Sequence, residues 1–166
     1  PSEVIANGIE LDAFDELPAS PNSVPRLVFL GTAGQAWHGV DKILCLAQYK
    51  ADWSFDIIGM DGVQRGHEAG NVIFHGRMAK AEYQRVISQS DIAIGSLALH
   101  RIGLEEACPI KVREYLAYGI PTIIAYSDTD FPCPPEFILQ LDNREDNVIR
   151  QMDAIEEFID KWRGRR

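Results

Sequence analysis

The segment from Leu104 to Pro121, LEEACPIKVREYLAYGIP, contains residue types that could bind a phosphorylated ligand. Pro109 predicts the start of a helix, and amides in the first turn of a helix have no acceptor within it. Lys111 would add a positive charge beside these amides, a combination that favours an anion such as a diphosphate. Glu114 lies one turn further along the same face, where its carboxylate could accept hydrogen bonds from two vicinal hydroxyls. A solvated helix face with a Lys and a Glu explains the spacing equally well.

A second candidate is the loop from Gly31 to Gly39, GTAGQAWHG, whose small residues would let a ligand approach the backbone closely. The loop lacks the GxGxxG fingerprint of dinucleotide-binding domains. An ordinary strand–helix turn with Trp37 packed against the domain explains it as well. His38 and His75 lie near predicted strand ends, but the sequence shows no Ser–His–Asp set or metal cluster around them.

The elements that would position these residues alternate between strands and helices. Apolar runs ending near glycine predict buried parallel strands, and apolar residues at helical spacing predict the helices between them. The predicted strands span residues 26–31, 54–59, 71–76, 91–97, 121–126 and 137–142, and the predicted helices span 39–50, 79–90, 109–118 and about 145–162. This order predicts a Rossmann-like, doubly wound α/β domain with a mostly parallel six-stranded sheet and helices on both faces. The ligand site would lie in the loops at the carboxyl ends of the strands, after Gly31, Gly59, Gly76, Ser96 and Tyr126.

Length and composition limit the classes of protein. The 166 residues fit one domain, and the net charge of −9 disfavours nucleic-acid binding. Three widely spaced cysteines predict neither a zinc site nor a disulfide framework and favour a reducing compartment. The sequence contains neither an apolar run of ~20 residues nor a signal peptide. Residues 1–25 predict an interdomain connector before a nucleotide-binding domain at 26–166. The start at Pro1 leads us to expect a piece of a longer protein.

These motifs resemble the carboxyl-terminal, donor-binding domain of retaining glycosyltransferases with two Rossmann-like domains (the GT-B fold), in the large group-one family, family four. Glu106 and Glu114 are separated by seven residues, as in the E-x7-E pattern of that family, and PIKVREYLAYGIP is similar to a variant with proline–x–lysine before the second glutamate. VIANGIE, at residues 4–10, resembles the interdomain hinge, and WHGVDK resembles the family's KG-hydrophobic-D segment. NVIFHGRM and AEYQRVISQSDIAI resemble the following strands and helix, so the resemblance spans nearly the whole chain.

The resemblance implies transfer of a hexose-type sugar from a nucleotide-sugar donor to a glycan or lipid-linked acceptor, in bacterial surface polysaccharide synthesis, with the anomeric configuration retained. It implies no metal or other cofactor. Glu106 would be the catalytic residue near the donor sugar, and Glu114 would bind the ribose. The other implied donor-binding residues line the crevice or face the diphosphate or the base: Gly31, Thr32, Gly34, His38, Arg77, Met78, Pro109, Ile110 and Lys111. The acceptor would need a missing amino-terminal domain, so this chain alone would be inactive. The enzyme would be cytoplasmic and could associate peripherally with the inner face of the membrane.

Two positions depart from the family pattern. Many members carry an arginine and a lysine that hold the diphosphate where this chain has Thr32 and His38. Lys111 could compensate, with His38 either protonated or donating a neutral hydrogen bond. A nucleotide-sugar epimerase or phosphorylase of the same architecture stays open, as does a non-catalytic nucleotide-binding module. A receiver-like signalling domain is disfavoured because LVFLG ends without an acidic residue, and a nicotinamide-binding domain because the glycine fingerprint is missing.

Overall fold

The computed structural model describes residues 7–15, 17–19, 22–61 and 70–166. In chain order the strands are β1 (Arg26–Leu30), β2 (Ser54–Ile58), β3 (Val72–Phe74), β4 (Ile92–Ile94), β5 (Glu106–Ala107), β6 (Thr122–Ile124), β7 (Ser127–Asp128) and β8 (Ile138–Gln140). Six of them form a sheet in the order β3-β2-β1-β4-β6-β8, in which every pair is parallel. The prediction of a doubly wound, six-stranded sheet is therefore confirmed. Strands β5 and β7 form a separate parallel ladder of two residues each.

The helices are α1 (Val40–Tyr49), α2 (Lys80–Ser88), α3 (Ile110–Ala117), α4 (Asn147–Arg150) and α5 (Met152–Trp162). The prediction of one continuous helix over about 145–162 is wrong, because the backbone leaves helical geometry at Gln151 (φ −113°, ψ 26°). Polar contacts hold the chain on both sides of this break. The buried Asn147 side-chain amide donates to the carbonyl of Asp142, and the Gln151 side-chain oxygen accepts from the Asp142 amide.

The sheet is covered on both faces, as its apolar strands require. Leu27 and Phe29 of β1 pack into the apolar cluster that contains α1 and α5. Val28, between them, packs into the opposite cluster, which contains α2 and α3. This alternation is the side-chain period of two expected of a β-strand. Helices on both faces were predicted, and the two clusters confirm them.

The position of β1 defines where a ligand could bind. Strand β1 lies between β2 and β4, so the chain leaves β1 toward one side of the sheet and later returns to the other. The crevice between the loops after β1 and β4 is the topological switch point, where doubly wound domains bind their ligands. Two glycines allow close approach at this edge. A Cβ atom on Gly59, whose φ is +92°, would lie 1.8 Å from the carbonyl oxygen of Gly31.

The described part of the connector packs against the α2 and α3 side of the domain. The ring of Phe14 lies edge-on to Tyr118 with 4.9 Å between centroids, and the Leu17 amide donates to the Tyr118 carbonyl. Residues 4–6 of the hinge-like motif lie outside the described residues, and the boundary at residue 25 stays a prediction. Among the helices of the described ranges, none combines the length and the apolar character needed to cross a bilayer.

Candidate functional site

Lys111 places a buried amine at the switch point. Helix α3 begins after its N-cap residue Pro109, so Lys111 lies in the first turn. Lys111 as a whole is partly exposed, but its Nζ is buried, 4.0 Å from the centroid of the Phe29 ring. Within the described ranges, no atom accepts a hydrogen bond from Nζ. Burial lowers the pKa of Lys111 to about 7. The solvated helix face considered for this residue is therefore not observed.

His38 supplies a second buried donor. The residue is 4% exposed, and its Nε2 accepts a hydrogen bond from the Thr32 amide at 3.2 Å. The ring proton consequently lies on Nδ1, which is buried and has no acceptor among the residues described. Burial, and secondarily the charge of Lys111, lower the pKa of His38 to about 3, so the ring is neutral at pH 7. Of the two roles considered for His38, the geometry supports the neutral donor.

Ser96 is a third buried donor, which sequence reasoning did not name as a site residue. It follows β4, is fully buried, and its Oγ has no partner in the described part of the chain. The next residue, Leu97, donates its amide to the carbonyl of His38 at 3.1 Å, which joins the loops after β1 and β4. Its place at one of the strand ends where the sequence predicted ligand-binding loops was the signal that could have identified Ser96.

We call these three groups the donor cluster: Lys111 Nζ and His38 Nδ1, whose side chains both contact the Phe29 ring, and Ser96 Oγ in the loop after β4. Leaving a buried polar group without a partner costs about 1–3 kcal/mol, so each such group in a native structure calls for an explanation. The ammonium and His38 Nδ1 donate, and the Ser96 hydroxyl can either donate or accept. A ligand with acceptor oxygens would satisfy all three, and a negative charge would also match the Lys111 ammonium and the amino-terminal end of α3.

Glu114 is also buried, one turn after Lys111. It is 7% exposed, and its Oε1 accepts a hydrogen bond from the Tyr83 hydroxyl at 3.0 Å. Burial raises the pKa of Tyr83, and the charge of Glu114 raises it further, so Tyr83 remains a neutral donor. The neighbouring Tyr115 hydroxyl accepts from the Leu30 amide at 2.7 Å, which fixes α3 to the end of β1. The carboxylate is thus held in place next to the crevice.

The glycine loop borders a small open cavity. Thr32 and Gly34 line this cavity of about 280 Å³, together with Val40, Asp41 and Met60 among others. Ligand pockets usually measure about 300–1,000 Å³, so this volume suits part of a ligand. Gly31 has no room for a side chain, because an added Cβ would lie 2.4 Å from a ring carbon of Phe29.

The remaining implied residues lie at the rim. Ile110 is 58% exposed at the start of α3. Arg77 and Met78 lie between β3 and α2, and Arg77 is exposed whereas Met78 is partly buried. Their backbone contacts to the base of the donor stay predictions. Glu106 is exposed on β5, paired with Ser127. The structure thus brings Gly31, Thr32, His38 and Lys111 together, while the proximity of Glu106 to a donor sugar stays a prediction.

A larger polar cavity, of about 430 Å³, opens near the ends of β6 and β8. Its lining includes Glu105, Ser127, Gln140, Asp142 and Asn143. Some of these side chains already bond one another, since the Asn143 amide donates to Glu105 Oε2 at 3.0 Å. The cavity borders the residue before Glu106 and the loop after Tyr126, one of the strand-end loops predicted from the sequence.

No protein-family model matches the sequence, and no curated protein matches it either. Solved structures do resemble the fold. Sucrose-phosphate synthase from Thermosynechococcus elongatus has a TM-score of 0.68 at 14% identity, over 95% of this chain and 44% of that one. The carboxyl-terminal domain of the group 1 glycosyl transferase LpcC from Francisella tularensis has a TM-score of 0.58 at 15% identity, over 95% of this chain and 92% of that one. The pneumococcal O-GlcNAc transferase GtfA, solved with UDP and GlcNAc, has a TM-score of 0.53 at 15% identity, over 89% of this chain and 30% of that one.

These identities are too low to transfer an activity, but the agreement in architecture is extensive. The chain spans less than half of the synthase and of GtfA, yet nearly all of the LpcC domain. All three of these proteins are glycosyltransferases. The chain therefore has the Rossmann-like α/β fold of the carboxyl-terminal domain of GT-B glycosyltransferases.

Proposed function

We propose that this chain binds a nucleoside-diphosphate sugar at the switch point and acts as the donor-binding half of a retaining glycosyltransferase. The observation that carries this proposal is the donor cluster: three buried hydrogen-bond donors, one of them an amine, without acceptors in the described part of the chain. A diphosphate offers several acceptor oxygens and the opposite charge.

The diphosphate would accept hydrogen bonds from Lys111, His38 and Ser96 and from the first-turn amides of α3. Positive charge must be supplied locally, because the chain as a whole carries a net charge of −9. Lys111 would meet this need, whereas many group-one glycosyltransferases use an arginine and a lysine at the positions of Thr32 and His38. The proposal includes no metal ion, since the ammonium and the helix terminus supply the countercharge.

The ribose would bind next to the diphosphate, at Glu114. Tyr83 occupies one carboxylate oxygen, and each carboxylate oxygen can accept more than one hydrogen bond. Glu106 would then lie near the hexose-type sugar as the catalytic residue. The acceptor, a glycan or lipid-linked molecule of bacterial surface polysaccharide synthesis, would bind an additional domain, so we expect no sugar transfer by this chain alone.

A thermal-shift panel of UDP, GDP and their glucose and mannose conjugates tests the proposal. A ligand at 100 times its Kd stabilises by about 2.7 kcal/mol, which corresponds to a rise in Tm of about 5–10 °C for a domain of this size. We expect this rise with at least one diphosphate and its loss in Glu114→Ala. Tyr83→Phe is the matched control, because it removes the same internal hydrogen bond but keeps the carboxylate. A wild-type chain whose Tm responds to none of these compounds contradicts the proposal.

A further inference from the structure

Helix α3 buries a second cation, on a different side from Lys111. Arg113 is 8% exposed, and its Nη2 donates to Asp128 Oδ1. Its Nε lies 3.0 Å from Asp130 Oδ2 and 3.2 Å from the sulfur of Cys108. We call these four residues the Arg113 clamp. The ligand atoms of Cys108, Asp128 and Asp130 lie within 4.8 Å of one another, but a metal ion there would have to displace the guanidinium that already contacts all three.

The Arg113 clamp holds the segment that carries Glu106. Asp128 belongs to β7, whose partner β5 contains Glu106 and Ala107. The flanking hydrogen bonds run from the Ser127 amide to the Glu105 carbonyl and from the Thr129 amide to the Ala107 carbonyl. An isolated two-stranded ladder is at best marginally stable, and this one has two residues per strand. Its position relative to α3 therefore depends on contacts outside the ladder, and Arg113 supplies a buried one.

Stability alone does not explain this ion pair. Desolvating two charges can offset their attraction, and well-packed apolar residues often replace such a pair with no loss of stability. A guanidinium bonded through separate nitrogens fixes direction as well as distance, which apolar contacts do not. The buried pair thus defines one geometry for β5 relative to the helix that starts with Lys111.

We propose that Arg113 is a positioning residue of the donor site: it holds Glu106 at a fixed place relative to the start of α3, against the sugar of the bound donor. This inference rests on the proposed function, because it assumes that the diphosphate lies at the donor cluster. Arg113 itself touches neither the diphosphate nor the sugar and acts through the β5–β7 ladder.

The first measurement is hydrogen exchange by NMR on the free chain. The double variant Arg113→Met/Asp128→Leu removes both charges without leaving either one unpaired. We expect the amides of Ser127 and Thr129 to exchange at least about tenfold faster, while the Ala93 amide, in the central sheet, keeps its protection. Unchanged exchange at Ser127 and Thr129 would show that the ladder does not depend on Arg113.

The second measurement separates the sugar from the diphosphate. Calorimetry gives the ratio of Kd for UDP-glucose to Kd for UDP, and likewise for GDP-mannose and GDP. We expect the double variant to bind free UDP or GDP as the wild type does. The ratio should rise about tenfold, which corresponds to the loss of one charge-assisted hydrogen bond. Glu106→Gln should raise the ratio similarly, and combining it with the double variant should add nothing, because both changes remove one interaction.

Arg26→Lys is the matched control. It alters another Arg–Asp pair, in which Arg26 Nε lies 2.6 Å from Asp56 Oδ2 at the opposite end of β1, and should leave the ratio unchanged. Two outcomes overturn the inference alone: a normal ratio in the double variant, or effects of the double variant and Glu106→Gln that multiply. Absence of any binding by the wild type would instead contradict the proposed donor site, and the positioning role with it.

Discussion

Replacing Lys111 with methionine should change stability and binding in opposite directions. The substitution keeps the apolar character and most of the length of the side chain but removes the amine. A residue that only supports the fold would destabilise the chain when changed. A buried amine that binds a ligand is unfavourable in the free chain. Its replacement should therefore stabilise the free chain and weaken ligand binding.

The size of the stability gain follows from the shift in the pKa of Lys111. Lowering this pKa from 10.5 to about 7 corresponds to at most about 5 kcal/mol of destabilisation while the amine is charged in both states. At pH 7, where half of the folded chains have released the proton, the destabilisation is at most about 4 kcal/mol. We therefore expect Lys111→Met to gain up to about 4 kcal/mol at pH 7, or up to about 15 °C in Tm.

The pH dependence of stability provides an internal check. Between pH 7 and pH 10.5 the unfolded chain keeps the Lys111 proton that the folded chain has released. Wild-type stability should therefore rise with pH across this window relative to the variant, and the two should converge toward pH 10.5. Thermal denaturation of both proteins at several pH values measures this difference.

Binding should be weaker in the same variant. Losing one charged hydrogen-bond donor to the diphosphate costs about 1.5–3 kcal/mol, so Kd for UDP or GDP should rise about 10- to 100-fold in calorimetry. Lys80→Met is the matched control, because its amine also lies over an aromatic ring, that of Phe14, at 5.0 Å but on an exposed residue. A destabilised Lys111→Met, or one that binds the diphosphate as tightly as the wild type, would refute the reasoning.

Three further predictions concern the same crevice. Because the Lys111 amine loses its charge above about pH 7, nucleotide-sugar binding should be about 30-fold weaker at pH 8.5 than at pH 6, and a pH-independent Kd would contradict this assignment. Glu114→Gln should weaken ribonucleotide binding about tenfold and abolish the preference for ribose over 2′,3′-dideoxyribose, measured by competition; a preference that persists would exclude Glu114 as the ribose ligand. Gly31→Ala should lower the free energy of unfolding by about 1–3 kcal/mol, because its Cβ would lie 2.4 Å from a ring carbon of Phe29, whereas Gly8→Ala, with nothing within 4 Å, should not; equal denaturation midpoints would argue against this packing.

Local signals in the sequence were sufficient to predict the sheet. The run RLVFLG predicted a strand at 26–31, and β1 spans Arg26–Leu30 because its apolar residues are buried on both faces. Helix α3 was predicted at 109–118 and spans Ile110–Ala117, since proline and glycine mark its ends. These features depend on residues close together in the chain, which a single sequence displays directly.

Features formed by distant residues could not be predicted in the same way. Helical spacing placed Lys111 on a face with Glu114, but the burial of Nζ against Phe29 depends on how α3 packs at the end of β1. The pairing of Arg113 with Asp128 and the β5–β7 ladder likewise depend on where the chain returns after β6. Periodicity carries no information on such contacts, so the donor cluster was only partly anticipated and the Arg113 clamp was missed.

Amide chemical-shift mapping of the ¹⁵N-labelled chain, with UDP and GDP as ligands, tests the central claim most directly. If a diphosphate binds the donor cluster, the amides of Thr32, Ser96 and Lys111 should show the largest shifts, and Lys111→Met should reduce them. Shifts confined to the cavity around Gln140 and Asn143, or no shifts with either nucleotide, would contradict a diphosphate site at the switch point.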